Sequence, residues 1–68
     1  MIGQHYGLRD IPRSEVLPGT AVKYRDRIYR ASANVKNGLY IHSVIEKTVI
    51  KSDIITILLN GKGEPLIN

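Results

Sequence analysis

The sequence predicts a small, mainly β domain, and three observations support this. Ile, Val and Thr occupy 18 of the 68 positions whereas Ala occupies only three, and β-branched side chains pack better on a pleated sheet than in a helix. The apolar share of 43% is typical of a soluble globular domain. A chain of this length also holds only one compact core. We therefore expect a single small β domain.

The N-terminal residues 1–19 show no sustained hydrophobic period. Glycine and proline interrupt them repeatedly, at Gly3, Gly7 and Pro12 among other positions, and these residues mark turns and breaks in regular structure. The sequence therefore predicts an irregular N-terminal arm over 1–19, followed by a single small β domain over 20–68.

A first hairpin is predicted around a two-residue turn at 26–27. In the register that this turn sets, Val22 faces Ala31 on an apolar side, while Lys23 faces Arg30 on a cationic side. Such alternation is typical of a half-buried antiparallel strand pair. Because the turn lacks the glycine that tight turns favour, a four-residue loop remains open, and it leaves the two faces unchanged.

A second hairpin is predicted at 36–38. A two-residue turn at 37–38 mixes polar and apolar partners, whereas a three-residue loop with Gly38 in the left-handed region places the apolar partners on one face. The sequence therefore favours the three-residue loop. The resulting pairs are Val35 with Leu39, Ala33 with Ile41, Ala31 with Ser43 and Tyr29 with Ile45.

The C-terminal third allows two structures for one segment. A short fourth strand is predicted at 48–50. For 53–60 the β-branched run 54–57 favours a buried strand, whereas capping by Ser52 allows a short helix. The last residues, 64–68, are predicted to be extended.

Taken in order, these elements predict an antiparallel meander of four or five short strands. Such a meander closes into a partly open SH3-like or OB-like barrel, with one short C-terminal helix over 53–60 as the alternative to a strand there. Small barrels serve many unrelated functions, so the fold class alone does not predict the function.

A basic outward face is the candidate functional site. The net charge is +4, and the predicted registers gather basic and aromatic side chains on the solvent side, together with Asn34. Cations neutralise nucleic-acid phosphates and aromatic rings stack on bases. The sequence thus predicts a nucleic-acid-binding module for DNA or RNA that contacts mainly the backbone. The predicted nucleic-acid-binding residues are Lys23, Arg25, Arg27, Arg30, Tyr40 and His42.

Enzymatic and metal chemistry find little support. The chain has no cysteine and two histidines, His5 and His42, whereas a metal site needs several convergent ligands. None of the serines lies in a Gly-x-Ser-x-Gly turn, and the acidic residues are scattered. We therefore expect a non-enzymatic protein with no catalytic, cofactor or metal site.

An alternative function is a protein-interaction adaptor or inhibitor of the type encoded by mobile elements such as phages or plasmids. In this hypothesis, exposed strand edges and the apolar arm around Tyr6, Leu8 and Ile11 dock on an acidic protein. A homo-oligomer is also possible, because the apolar run 54–59 is richer than one modest sheet requires.

The sequence also bears on localisation. The first residues lack a cationic stretch followed by an apolar run, and the longest apolar run, 54–59, is far below the roughly 20 residues that span a bilayer. We therefore expect a cytoplasmic protein with no membrane partner.

Overall fold

Six antiparallel strands form one open sheet in the computed structural model, which describes residues 7–67. The predicted mainly β fold is therefore confirmed. The sheet order is β1-β6-β2-β3-β4-β5, so β1 and β5 are its edges. The strands are β1 (Leu8–Pro12), β2 (Ala21–Tyr24), β3 (Arg27–Val35), β4 (Gly38–His42), β5 (Lys47–Ile50) and β6 (Ile54–Leu58).

The N-terminal segment is more regular than predicted. Strand β1 pairs with β6 along its whole length, so the irregular arm predicted for 1–19 was wrong at Leu8–Pro12. One turn of 3-10 helix, Arg13–Glu15, follows it, and the Arg13 amide donates to the Asp53 carbonyl at 2.7 Å. The arm's first six residues, including Tyr6, lie outside the described residues.

The first hairpin turns one residue earlier than predicted. Its turn residues are Arg25 and Asp26, which have positive φ angles of 51° and 62°. Val22 consequently pairs with Tyr29 rather than with Ala31, so the predicted register was wrong by two residues. Because side chains alternate with a period of two, this shift leaves the apolar and outward faces unchanged.

The second hairpin has a shorter turn and a β-bulge. Val35 pairs with Gly38, and Ala31 pairs with Ile41, with a register shift between Ala31 and Ala33. The predicted three-residue loop was therefore wrong. The bulge reverses the alternation beyond it, so Asn34 lies opposite the buried Leu39 rather than on the outward face.

The core lies on one face of the sheet. Asn34 fastens the 3-10 turn over it, because its Nδ2 donates to the carbonyls of Arg13 at 2.6 Å and Val16 at 3.1 Å. Ile11, Tyr24 and Leu59 pack against the core from its margin. Its buried members are Val16, Val22, Tyr29, Ala31, Leu39, Ile41, Ile50, Ile55 and Ile57.

The C-terminal third agrees with the favoured prediction. The strand at 48–50 is confirmed as part of β5, and 53–60 contains strand β6, so the helix alternative was wrong. After β6 the chain returns between β2 and β6: the Ala21 amide donates to the Leu66 carbonyl, and the Leu66 amide donates to the Leu58 carbonyl, both at 2.9 Å. Among residues 7–67, no helix is long or apolar enough to span a membrane.

Candidate protein-interaction surface

Four of the six predicted nucleic-acid-binding residues share the outward face. Arg30 lies opposite His42 across β3 and β4, and Tyr40 is two residues before His42 on the same strand. Lys23 lies beside them on β2, opposite the exposed Ile28. The guanidinium of Arg30 donates to the Gly19 carbonyl at 3.1 Å.

The other two predicted residues, Arg25 and Arg27, lie elsewhere. Arg25 is a turn residue whose guanidinium carbon stands 5.1 Å from the centroid of the Tyr24 ring, so its predicted place on the outward face was wrong. Arg27 pairs with Tyr24, which puts it on the core side of the strand. The predicted cations are therefore divided between the outward face and the turn and core side of the first hairpin.

The turn between β4 and β5 exposes two aliphatic side chains. Val44 is fully exposed and Ile45 is 76% exposed, whereas the sequence predicted Ile45 opposite Tyr29 in the sheet. The turn is held by the Ser43 amide, which donates to the Glu46 carbonyl at 2.8 Å. The Ser43 hydroxyl oxygen also accepts from the amides of Ile45 and Glu46, each at 3.3 Å. Serine favours such turns by accepting from amides two and three residues on, so Ser43 was the signal that sequence reasoning missed.

A hydrogen bond joins this turn to the first hairpin. The Tyr29 hydroxyl donates to the Glu46 carboxylate, and the Tyr29 ring packs edge-on against Tyr24 with centroids 6.2 Å apart. This hydrogen bond, burial and the Glu46 charge raise the pKa of Tyr29, which the charges of Arg27 and Arg25 oppose. Residues 25–27 and 43–46 are thus linked through Tyr29 and Tyr24, and we call the two turns together the loop end.

A shallow groove lies on the outward face of β4 and β5. Tyr40 and Val49 are cross-strand partners there, as are His42 and Lys47, and all four line the groove. The Ser32 hydroxyl, which donates to the Tyr40 carbonyl at 3.1 Å, borders it. The groove runs beside the free edge of β5.

Potential metal ligands are dispersed in the part of the chain that the structure describes. Within residues 7–67, no three His, Cys, Asp or Glu side chains come together as a potential metal site. His42 lies half-buried on the outward face, and His5 is outside the described range.

The open, curved-barrel class of small β domains fits this single antiparallel sheet of six strands, and the family comparison specifies the SH3 type. The chain is a member of the KilR family, since the family's model, the KilR SH3-type barrel domain, matches residues 6–58. This match decides between the two predicted barrel types in favour of the SH3-like one. No curated protein and no solved structure matches the chain.

Proposed function

We propose that this protein is a non-enzymatic interaction module, an adaptor or inhibitor that docks on another protein through its loop end. The observation that carries the proposal is the pair of exposed aliphatic side chains, Val44 and Ile45, on a turn held by hydrogen bonds. A fixed turn loses little conformational entropy on binding. The KilR family is phage-associated, which supports a mobile-element inhibitor.

The chemistry of the loop end indicates what the partner offers. Val44 and Ile45 require an apolar pocket. The guanidinium groups of Arg25 and Arg27 stand close enough to Tyr29 to oppose the rise of its pKa. Two acidic side chains, Asp26 and Glu46, lie among these cations, but Glu46 is already engaged by Tyr29. We infer a partner surface with an apolar pocket bordered by acidic groups, because such a border complements the arginines.

Nucleic-acid binding, the first sequence prediction, has weaker support. A module of that kind needs its cations along one path and its aromatic rings beside them, whereas Arg25 and Arg27 lie apart from Lys23 and Arg30. The geometry therefore favours the adaptor or inhibitor hypothesis. The net charge of +4 then serves to attract an acidic protein.

Photo-crosslinking in the host cell tests the proposal. A photoreactive amino acid replaces Val44 or Ile45, and the control carries it at Leu17, an exposed aliphatic residue outside the loop end. We expect one protein to be crosslinked from both loop-end positions and not from the control. Reversing charge in Arg25→Glu/Arg27→Glu removes that crosslink, whereas Lys62→Glu, an exposed cation on a different turn, keeps it.

Two results contradict the proposal. One is crosslinking that is equal at all three positions, since this indicates nonspecific contact. The other is tight binding of the purified protein to DNA or RNA. In that case a plot of log affinity against log salt concentration has a slope of about −3 to −4, and the slope becomes shallower by about one unit for each cation removed. That slope restores the nucleic-acid hypothesis.

A further inference from the structure

The two edges of the sheet differ in their capacity to accept another strand. Each edge strand pairs with one neighbour among the described strands, β1 with β6 and β5 with β4. Strand β1 contains Pro12 and the charged pair Arg9 and Asp10, and proline and charge block edge-to-edge pairing. Strand β5 reads Lys-Thr-Val-Ile; it has no proline and a single charged residue, Lys47, so its backbone is the better template of the two.

The surface beside β5 is apolar and basic. Val49 and the 48% exposed ring of Tyr40 form the apolar part. Lys47 and His42 pair across the strands next to them, and Arg30 continues the same row on β3. Glu46 precedes β5, but its carboxylate accepts from Tyr29 on the core side. An acidic ligand therefore meets cations and no competing carboxylate in this row.

We infer that β5 binds an extended, acidic segment of the partner protein as an added antiparallel strand. The inference rests on the proposed function and names the part of the partner that is bound. Free backbone groups of the edge supply hydrogen bonds, and the groove supplies side-chain selectivity, as in other strand-addition complexes. An antiparallel orientation continues the pairing of the whole sheet and is slightly the more stable of the two.

This geometry predicts a sequence pattern in the ligand. Side chains two residues apart on the added strand lie on the same face, so one faces Val49 and the other faces Lys47. An antiparallel strand meets Val49 first. The ligand consequently has an apolar residue followed, two positions later, by Asp or Glu.

A second copy of this chain is a poorer occupant of the same edge. The chain carries a net charge of +4, and β5 is bounded by Lys47 and Lys51. Pairing two such edges brings like charges together, which disfavours the contact. An acidic partner gains from the same charges.

Peptide titration into isotope-labelled protein, followed by amide chemical shifts, tests the inference. The probe is the capped peptide Ser-Ile-Thr-Glu-Ser, and its controls are the reversed order, Ser-Glu-Thr-Ile-Ser, and the charge-swapped Ser-Ile-Thr-Lys-Ser. We expect the probe to shift the amides of residues 47–50 and to bind about five- to tenfold more tightly than the charge-swapped peptide.

A charge exchange makes the test specific. Lys47→Glu lowers the affinity for the probe by the same factor and raises the affinity for the charge-swapped peptide. Lys51→Glu, outside the groove, changes neither affinity by more than about twofold. Lys47 is exposed, so this substitution leaves the core intact. A matched exchange of preference requires direct contact between Lys47 and the acidic position.

Several outcomes overturn the inference. These are the absence of shifts at 47–50 with millimolar probe, equal affinity for the probe and the charge-swapped peptide, and tighter binding of the reversed order. Shifts at 47–50 that depend on protein concentration without peptide show that a second copy occupies the edge.

If the peptide does not bind while Val44 still crosslinks its partner, the inference is wrong and the proposed function stands. If the peptide binds while no crosslink forms, the loop-end function falls.

Discussion

The hydroxyl of Tyr29, on a ring that is only 3% exposed, donates a hydrogen bond to the carboxylate of Glu46 seventeen positions further along the chain. Tyr29 belongs to β3, and Glu46 ends the turn that presents Val44 and Ile45. The contact therefore fixes the exposed turn to the hydrophobic core. A side chain that only packed in the core would not have this effect on the loop end.

The Tyr29 contact predicts a loss of stability at alkaline pH. The bond to Glu46, burial and the Glu46 charge raise the pKa of Tyr29 above its ordinary value of 10.0. Above pH 10.0 the unfolded chain releases this proton while the folded chain keeps it, so folding stability falls as pH rises through the folded-state pKa. Below pH 10.0 the contribution is fully present.

Urea unfolding at about pH 8 and about pH 11 measures this effect. We expect the midpoint of the wild-type protein to fall further between the two pH values than that of Tyr29→Phe, which has no proton to lose. Tyr40→Phe removes an exposed hydroxyl away from Glu46 and serves as the control for loss of a tyrosine hydroxyl; we expect the midpoints of this variant to change with pH as those of the wild type do. Equal pH dependence in wild type and Tyr29→Phe would falsify the assignment.

Gly38 begins β4 and permits a close approach of β5. Its φ is +153°, a value that L side chains rarely adopt, and a Cβ there lies 2.7 Å from Val49 Cγ2 and 2.9 Å from the Ile50 carbonyl oxygen. We expect Gly38→Ala to lower the free energy of unfolding by about 1–3 kcal/mol, because the backbone contact cannot be relieved by a rotamer change.

Gly63→Ala is the matched control for Gly38→Ala. Gly63 also has a positive φ, of +77°, but a Cβ there meets no atom within 4 Å. The loss at Gly38 beyond that at Gly63 therefore measures the close approach, in denaturant titrations of both variants. If Gly38→Ala lowers the free energy of unfolding less than Gly63→Ala does, Gly38 is not required for the close approach of β5.

Part of the fold follows from alternation, which tolerates errors of register. The faces of Val22, Lys23 and Tyr29 were predicted correctly although the turn moved by one residue, because a register shift of two preserves them. The bulge near Ser32 was not predictable in this way. The residues on both sides of the bulge are small or polar, so their pattern does not indicate which side chains face the core. Asn34 was therefore assigned to the wrong face.

Non-local contacts account for the other differences. Strand β1 has little apolar alternation of its own and is held by pairing with β6. The sequence pattern of 8–12 gives no information about this pairing. The loop end depends likewise on the distant pair Tyr29 and Glu46. The sequence analysis identified the cations Arg25 and Arg27 but not the exposed aliphatic pair, Val44 and Ile45.

Asn34 predicts a second stability effect. Its Nδ2 donates to the carbonyls of Arg13 and Val16, so Asn34→Ala leaves two partly buried acceptors without their donor. We expect a loss of about 1–3 kcal/mol in unfolding free energy. Asn34→Asp is expected to be at least as harmful, because a carboxylate donates no hydrogen bond and repels the carbonyl oxygens.

Asn37→Ala provides the comparison for Asn34, since Asn37 lies exposed in the adjacent turn. We expect it to change the unfolding free energy by less than about 0.5 kcal/mol. Amide hydrogen exchange of Val16 reports the local effect, because its amide closes the 3-10 turn onto the Arg13 carbonyl at 3.1 Å. Unchanged protection of this amide in Asn34→Ala contradicts the fastening role.

The turn of the first hairpin predicts a stabilising substitution. Among the described non-glycine residues, only Arg25 and Asp26 have positive φ, and glycine is the residue preferred at the second position of such a turn. Asp26→Gly relieves the strain of the left-handed conformation, and we expect it to raise the unfolding free energy by about 0.5–1 kcal/mol.

Asn37→Gly, the control, makes the same kind of change in the second hairpin turn, where φ is not positive. It brings no relief there and is expected to destabilise slightly, since glycine adds entropy to the unfolded chain. Urea midpoints with unchanged m-values measure both variants, and an equal effect of the two glycines would show that backbone strain at Asp26 is not what limits the stability of this turn.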